Sequence, residues 1–331
     1  MEENYLPTVA LIYGGRGYES DVSVRGAEWI MPFIDRRKYK MLSIFIDKDG
    51  RWLSGGGEAT PAYLNGVSGI LLRGEMIPIS CAIPLLHGDF GEDGIVQGAL
   101  ENAKIPYIGC KTCAGAICID KALTKTIATR LGIPTLPWVT ADCENDALEA
   151  EKALKYPLFI KPCSLGSSVG VSKATNRDEL LSAVRTALEM DNRVIIEKAL
   201  SRPRELECGY YKANCKEIFT NPGEIICESK FYDYDKKYIS TNDVSVLPTA
   251  HIDEETQGRI KNYSLLLVKA IGVRQLCRLD FFLCDEGLYF NEINTMPGFT
   301  PDSLYHKMLS ASGIEPKELI ESLIWDTITN G

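Results

Sequence analysis

From Thr8 to Tyr13 the chain is almost continuously apolar and then meets Gly14-Gly15, a pattern that predicts a buried strand ending in a tight turn. An apolar helix follows around Val22 to Ile34, then strands at Met41–Ile46 and Cys81–Leu86 and a helix from Gly94 to Ala103. Strand and helix alternating in this way predict an open, mostly parallel α/β sheet over residues 1–120. Loops after its strands, Gly14 to Asp21 and His87 to Asp93, lie where ligand crevices form in such sheets. A second unit, 121–201, starts with a helix from Lys121 to Leu131, with Asp120 as its N-cap and Gly132 and Pro134 as its stop. Strands at Pro157–Lys161 and Val169–Ser172 flank a Gly/Ser loop, and a helix (Asp178–Glu189) and a strand (Val194–Glu197) complete a small α+β lobe. Residues 202–331 are strand-rich, with a helix from Asp253 to Ile271, a hairpin and a terminal helix. They also carry the aromatic and charged run Phe231-Tyr-Asp-Tyr-Asp-Lys-Lys-Tyr238. There is no internal repeat.

Composition fits a soluble globular protein of two or three domains: 331 residues, 45% hydrophobic and 24% charged. Thirty-six basic against 45 acidic residues give a net charge of −9, which argues against nonspecific nucleic-acid binding, so any phosphate must be held locally. The acidic start Met-Glu-Glu and the lack of a long apolar run predict neither a secretory signal nor a membrane span, hence a cytoplasmic protein. Eleven cysteines at irregular spacing then read as reduced thiols. Cys110 and Cys113 have the spacing of half a zinc site, but no second pair completes it.

The strongest chemical signal is the run Arg278-Leu-Asp280-Phe-Phe-Leu-Cys284-Asp-Glu-Gly287-Leu-Tyr-Phe-Asn-Glu292-Ile-Asn294, two β-rich segments around a turn. If Cys284 opposes Leu288, then Asp280 faces Glu292 and Arg278 faces Asn294, and all four side chains share one face. Two opposed carboxylates repel unless something compensates. A divalent cation bound by hard oxygen donors is one answer; a solvated face on which Arg278 balances both acids is the other. A bulge near the turn would shift the register and split the group.

Four further features bear on function. Lys161-Pro-Cys-Ser-Leu-Gly166-Ser167-Ser168-Val-Gly170 offers backbone amides and hydroxyls to an anion, or is simply a turn. The same stretch satisfies the Gly-x-Ser-x-Gly of serine hydrolases, although that chemistry needs a helix directly after Ser168 and the following residues read as strand. Glu19, after the first strand, is placed to anchor an ammonium group, and His87, after another, is either structural or catalytic. Lys121, Lys161, Lys198 and Lys237 are each able to neutralise phosphate, or are ordinary surface lysines.

In their order along the chain these motifs resemble the D-alanine–D-alanine ligase family of the ATP-grasp fold. The residues that carry the resemblance are Gly14-Gly15 with Glu19 and Val22-Ser23; His87-Gly with Gly91-Glu-Asp-Gly94; Asp120-Lys121; Lys161-Pro with Gly166-Ser-Ser-Val-Gly170; Phe231-Tyr-Asp-Tyr with Lys237-Tyr238; Arg278-Leu-Asp280; and Asn291-Glu-Ile-Asn294-Thr-Met-Pro-Gly298-Phe-Thr. The resemblance implies an α/β and α+β chain: an N-terminal open parallel α/β domain, then two α+β lobes enclosing ATP. Lys121 and Lys161 would contact the phosphates, with Ser168, Lys198 and Phe231 also in the nucleotide site and Glu197 and Glu205 at adenine and ribose. Asp280, Glu292 and Asn294 would hold two Mg²⁺ ions, with Mn²⁺ as a substitute. Glu19 would take the ammonium of a first D-alanine, whose carboxylate attacks the γ-phosphate. Arg278 and the Gly298 amide would stabilise the oxyanion when the second D-alanine attacks, with His87 nearby. Ser303 and Leu304 would meet that second substrate. A lid at 229–245 would link Tyr238 to Ser167 and Glu19 and bring Lys237 to the γ-phosphate. Leu304 favours D-alanine over D-serine, and the retained Lys237-Tyr238 pair argues against D-lactate. A homodimer is implied, as is the alternative of a nucleotide-binding regulator on the same fold.

Overall fold

The computed structural model describes residues 6–227 and 244–331. Three sheets organise them. The first contains strands β1 (Thr8–Gly14), β2 (Lys40–Ile46), β3 (Trp52–Ser54), β4 (Gly57–Leu64), β5 (Val67–Leu72), β6 (Glu75–Pro78) and β7 (Cys81–Pro84), in the order β6-β5-β4-β3-β2-β1-β7. Helices α1 (Ser20–Ile30) and α2 (Ile95–Asn102) pack on it, and α3 (Thr112–Ile119) follows with Ala114 and Cys118 in the core of the third sheet. Parallel pairing holds only for β2–β1–β7. The expectation of a mostly parallel sheet fails beyond that, because β3 to β6 form an antiparallel extension. The reason is local: Gly55-Gly56, Asn65-Gly66 and Arg73-Gly74 all have positive φ, the conformation of two-residue hairpin turns.

The second sheet, in the order β10-β9-β11-β8, is built from β8 (Trp138–Ala141), β9 (Leu158–Pro162), β10 (Ser172–Ala174) and β11 (Val194–Lys198). Helix α4 (Lys121–Arg130) leads into it, and α5 (Glu144–Ala153) and α6 (Arg177–Leu188) pack against it. Asp120 caps α4 as expected, accepting from the Leu123 amide at 2.9 Å. Strand β10 starts three residues later than Val169, since Ser167, Ser168 and Gly170 are left-handed and residues 167–170 form a turn. No helix follows Ser168, so the hydrolase elbow is absent.

The third sheet runs β15-β14-β12-β16-β17 with β13 beside β12; its strands are β12 (Arg204–Ala213), β13 (Lys216–Phe219), β14 (Gly223–Cys227), β15 (Val244–Leu247), β16 (Leu276–Cys284) and β17 (Gly287–Asn294). Helices α7 (Glu254–Ile271), α8 (Leu304–Ala311) and α9 (Pro316–Asn330) complete the described chain. The largest core crosses between units. Val9, Leu11, Ile83 and Leu85 of the first sheet pack with Tyr305, Leu309, Leu319 and Leu323 of α8 and α9. At ~25 cal/mol per Å² of buried apolar surface, this shared core ties the N-terminal sheet to the C-terminal helices. Among the described residues, no helix is long and apolar enough to cross a membrane.

Candidate active site

The hairpin β16–β17 places Asp280 opposite Glu292 and Arg278 opposite Asn294, the pairs expected from the sequence, by a different route. Cys284 opposes Gly287, not Leu288, so near the turn the ladder runs one residue out of the expected register. A bulge between Asp280 and Phe281 absorbs the difference: Phe281 opposes Phe290, Asp280 opposes Glu292, and Asn291 is the extra residue. Without it Glu292 would turn to the other face. Glu207 of β12 opposes Asp280 from the other side, giving a row of three carboxylates across three strands.

Arg278 lies within that row. Its Nε and Nη2 donate to both oxygens of Asp280 at 2.8 and 2.7 Å, and Nε is 3.2 Å from Glu207. Burial works against its charge, but Asp280 and Glu207 outweigh this and hold it ionised. Asn294 donates to Asp280 at 3.1 Å. The side chains of Glu207, Arg278, Asp280 and Glu292 are 5–21% exposed, so this is a recessed wall and not a solvated face. Asp280, Glu292 and the Asn294 amide oxygen are hard donors that fit Mg²⁺, and they leave positions for phosphate and water. Among the described residues no group of three or more His, Cys, Asp and Glu is arranged to enclose a metal. Cys110 and Cys113 diverge, one buried and one exposed.

Opposite the hairpin, Ser167 donates its hydroxyl to Glu19, which joins the turn of the second sheet to the start of α1. Glycines make this approach possible. A Cβ at Gly88 would stand 2.4 Å from Glu19 Oε2, and one at Gly166 2.8 Å from it. Ser23 secures the loop beneath by accepting from the Gly14 amide at 2.8 Å and donating to the Leu85 carbonyl.

His87 is buried, with Nδ1 3.0 Å from the Met296 carbonyl. Burial lowers its pKa, so the ring is neutral; a carbonyl only accepts, hence Nδ1 carries the proton and Nε2 a lone pair. Glu92, which sequence reasoning passed over inside a family motif, completes the ring of contacts. It accepts from Gly88 N at 3.0 Å and Met296 N at 2.7 Å. Burial, reinforced by the Glu19 charge and opposed by those two amides, pushes its pKa up to about 7. The Gly298 amide follows two residues later, and Ser303 Oγ, 3.0 Å from Thr300 N and 2.8 Å from Thr300 Oγ1, sets the next turn. Leu304 is buried at the start of α8.

The lysines divide. Lys121 reaches across the cleft, donating to the Leu165 carbonyl and lying 3.6 Å from Glu292. Lys161 pairs with Glu197 at 2.6 Å, whereas Lys198 is half exposed, 3.8 Å from Glu286. Glu197 is itself buried between Lys161 and Lys125, the latter 2.7 Å away. Despite burial, these two cations bring its pKa down to about 2. Glu205 stands on β12 opposite Phe282, close enough to Lys161 to support its charge. Lys125 and Glu207 carry no sequence signal that separates them from surface charges. Phe231, Lys237, Tyr238 and the 229–245 lid up to residue 243 lie outside the described residues. One cavity brings together Glu19, Glu92, Lys121, Gly166, Glu292 and Asn294, from all three units.

Comparison with known proteins gives a consistent result. Family models described as "D-ala D-ala ligase N-terminus" and "D-ala D-ala ligase C-terminus" match residues 8–110 and 127–325. Proteins named D-alanine–D-alanine ligase from Streptococcus equi subsp. zooepidemicus and Chlorobium luteolum are each 37% identical to the chain. Both alignments cover 96% of this chain and 94% and 96% of the relatives, respectively. Among solved structures, the D-alanyl-alanine synthetase A of Vibrio cholerae superposes with TM-score 0.89 at 31% identity, covering 98% of this chain and 99% of that one. The VanG D-Ala:D-Ser ligase of Enterococcus faecalis gives 0.88 at 31%, covering 98% and 100%. With both halves matched, the chain belongs to the D-alanine–D-alanine ligase family and has its ATP-grasp fold.

Proposed function

We propose that this protein is an ATP-dependent D-alanine–D-alanine ligase that makes the dipeptide for peptidoglycan precursors, through a D-alanyl phosphate. The observation that carries the reading is the shared cavity, where an acid (Glu19), a lysine (Lys121) and the oxygen donors Glu292 and Asn294 converge, a set suited to an ammonium group, a phosphate and a divalent cation. Glu19 would receive the ammonium of the first D-alanine and hold its carboxylate toward the nucleotide. Lys121, Lys161 and the amides of the 166–170 turn would orient the phosphates, and the buried walls exclude the water that would hydrolyse an acyl phosphate. Asp280, Glu292 and Asn294 would hold two Mg²⁺ ions, which when bound neutralise the charge that develops on the transferred phosphoryl group.

A carboxylate oxygen of the first D-alanine forms the bond to the γ-phosphorus as the bond to ADP breaks. The second D-alanine's amine then attacks the acyl carbon, with Arg278 and the Gly298 N–H at the developing oxyanion. Inorganic phosphate leaves with its bonding pair, and the amine's proton passes to an acceptor, a role open to the lone pair of His87 Nε2. Leu304, apolar and buried beside Ser303, favours a methyl on the second substrate. D-serine remains the second reading because of the likeness to a D-Ala:D-Ser ligase. Phosphate release from Mg·ATP with D-alanine, D-serine, D-lactate or L-alanine as second substrate tests this. Release should be fastest with D-alanine; release indifferent to D-alanine would remove the ligase, and a D-serine preference would replace the product.

A further inference from the structure

Lys125 has no part in the mechanism above, yet it is fully buried. It projects from α4, one turn after Lys121, and meets Glu197 of β11 at 2.7 Å and the Phe290 carbonyl of β17 at 3.4 Å. Glu197 in turn holds Lys161 of the adjacent strand at 2.6 Å, so one carboxylate is shared by two ammonium groups. Burying three charges is costly, and a single Lys–Glu pair would satisfy the carboxylate as well. The second lysine changes the net charge. Glu197 and Lys161 alone sum to zero, which would cancel the charge that Lys161 offers an anion; Lys125, whose charge burial disfavours and the Glu197 carboxylate at 2.7 Å supports, brings the group to +1 when protonated. Other acids near Lys161, Glu292 and Glu205, add to the need for that surplus.

We propose that Lys125 is a positioning residue for nucleotide binding: it neutralises Glu197 so that Glu197 fixes the Lys161 ammonium in place without consuming its charge toward phosphate. The inference rests on the reading in which Lys161 meets the ATP phosphates.

The test uses the full chain and steady-state phosphate release with Mg·ATP varied at saturating D-alanine. Lys125→Met leaves Glu197 still paired with Lys161 and should raise the KM for ATP about tenfold, with kcat within about threefold and the KM for D-alanine unchanged. Lys125→Arg keeps the positive charge at some cost in packing and should hold the KM for ATP within about threefold of the parent, whereas a purely structural role would favour the neutral, closely sized Lys125→Met. Lys125→Gln keeps an N–H donor for Glu197 without the charge and should match Lys125→Met, which covers failure of the latter to fold. An unchanged KM for ATP in the neutral variants, an equal fall in kcat and rise in both KM values, or a Lys125→Arg variant whose KM for ATP rises as far as that of Lys125→Met would each overturn the proposal. Calorimetric titration with Mg·ATP in the absence of D-alanine reads the same affinities without turnover. A parent that binds ATP but releases no D-alanine-dependent phosphate therefore counts against the ligase reading, while the variant affinities still decide the role of Lys125.

Discussion

Glu92 provides a quantitative check on the contact between the His87 loop and the Met296 turn. Burial raises its pKa from the ordinary 4.5 to about 7, against the pull of the Gly88 and Met296 amides. A raised carboxyl pKa means that the native state favours the neutral form. That contribution to stability is complete below pH 4.5 and is lost as pH rises through about 7. At ~1.4 kcal/mol per pKa unit the whole effect is about 3 kcal/mol, most of which falls between pH 5 and 8. Glu92→Gln has no proton to exchange. Urea unfolding of parent and variant, followed by tryptophan fluorescence at pH 5, 6, 7 and 8 with EDTA present, should show the parent losing about 2–3 kcal/mol relative to the variant as pH rises. The variant also forfeits one of the two N–H acceptors, which displaces its curve by a constant amount and leaves the slope untouched. A stability difference that stays flat over this range, or that moves in the parent's favour, would refute the account of Glu92 as a carboxyl held neutral by burial.

Two other substitutions probe the cleft directly. Glu292→Gln should raise the Mg²⁺ concentration for half-maximal phosphate release by on the order of tenfold, and an unchanged Mg²⁺ requirement would show that Glu292 is no ligand. Gly88→Ala combines a left-handed backbone (φ 66°) with a Cβ 2.4 Å from Glu19 Oε2. The backbone alone should cost about 1 kcal/mol, and the displaced carboxylate should raise the KM for D-alanine while leaving that for ATP alone. Equal D-alanine affinity in variant and parent would contradict the placing of the substrate ammonium at Glu19.

What the sequence makes legible follows periodicity. Period-two alternation puts Arg278, Asp280, Glu292 and Asn294 on one wall, and the Asp120 cap fixes the start of α4. The bulge at Asn291 is not legible, because it corrects an offset set by the turn, and either register looks equally good before the two strands are paired. The antiparallel extension was open to reading, since Asn65-Gly66 is a hairpin signal between alternating residues. Lys125 and Glu207 are another matter: a buried charge has the same spelling as a solvated one, and only its partners from distant strands mark it. Similarly, the apolar faces of α8 and α9 show that they must be covered, without showing that the N-terminal sheet covers them.

The turn that meets Glu19 holds two consecutive serines, Ser167 and Ser168, in the left-handed region at φ 51° and 61°. Non-glycine residues adopt that conformation at an energetic disadvantage, so its geometry depends on contacts such as the Glu19 hydrogen bond from a different unit. A fragment cut down to the central lobe would lack that support, and nucleotide analogues ranked against such a fragment would be ranked on a differently shaped pocket. Inhibitor screening on this scaffold therefore calls for the intact polypeptide. An amine that displaces Ser167 from Glu19 is a rational starting scaffold, because it breaks the contact that joins the two units and would enter the pocket proposed for the first amino acid.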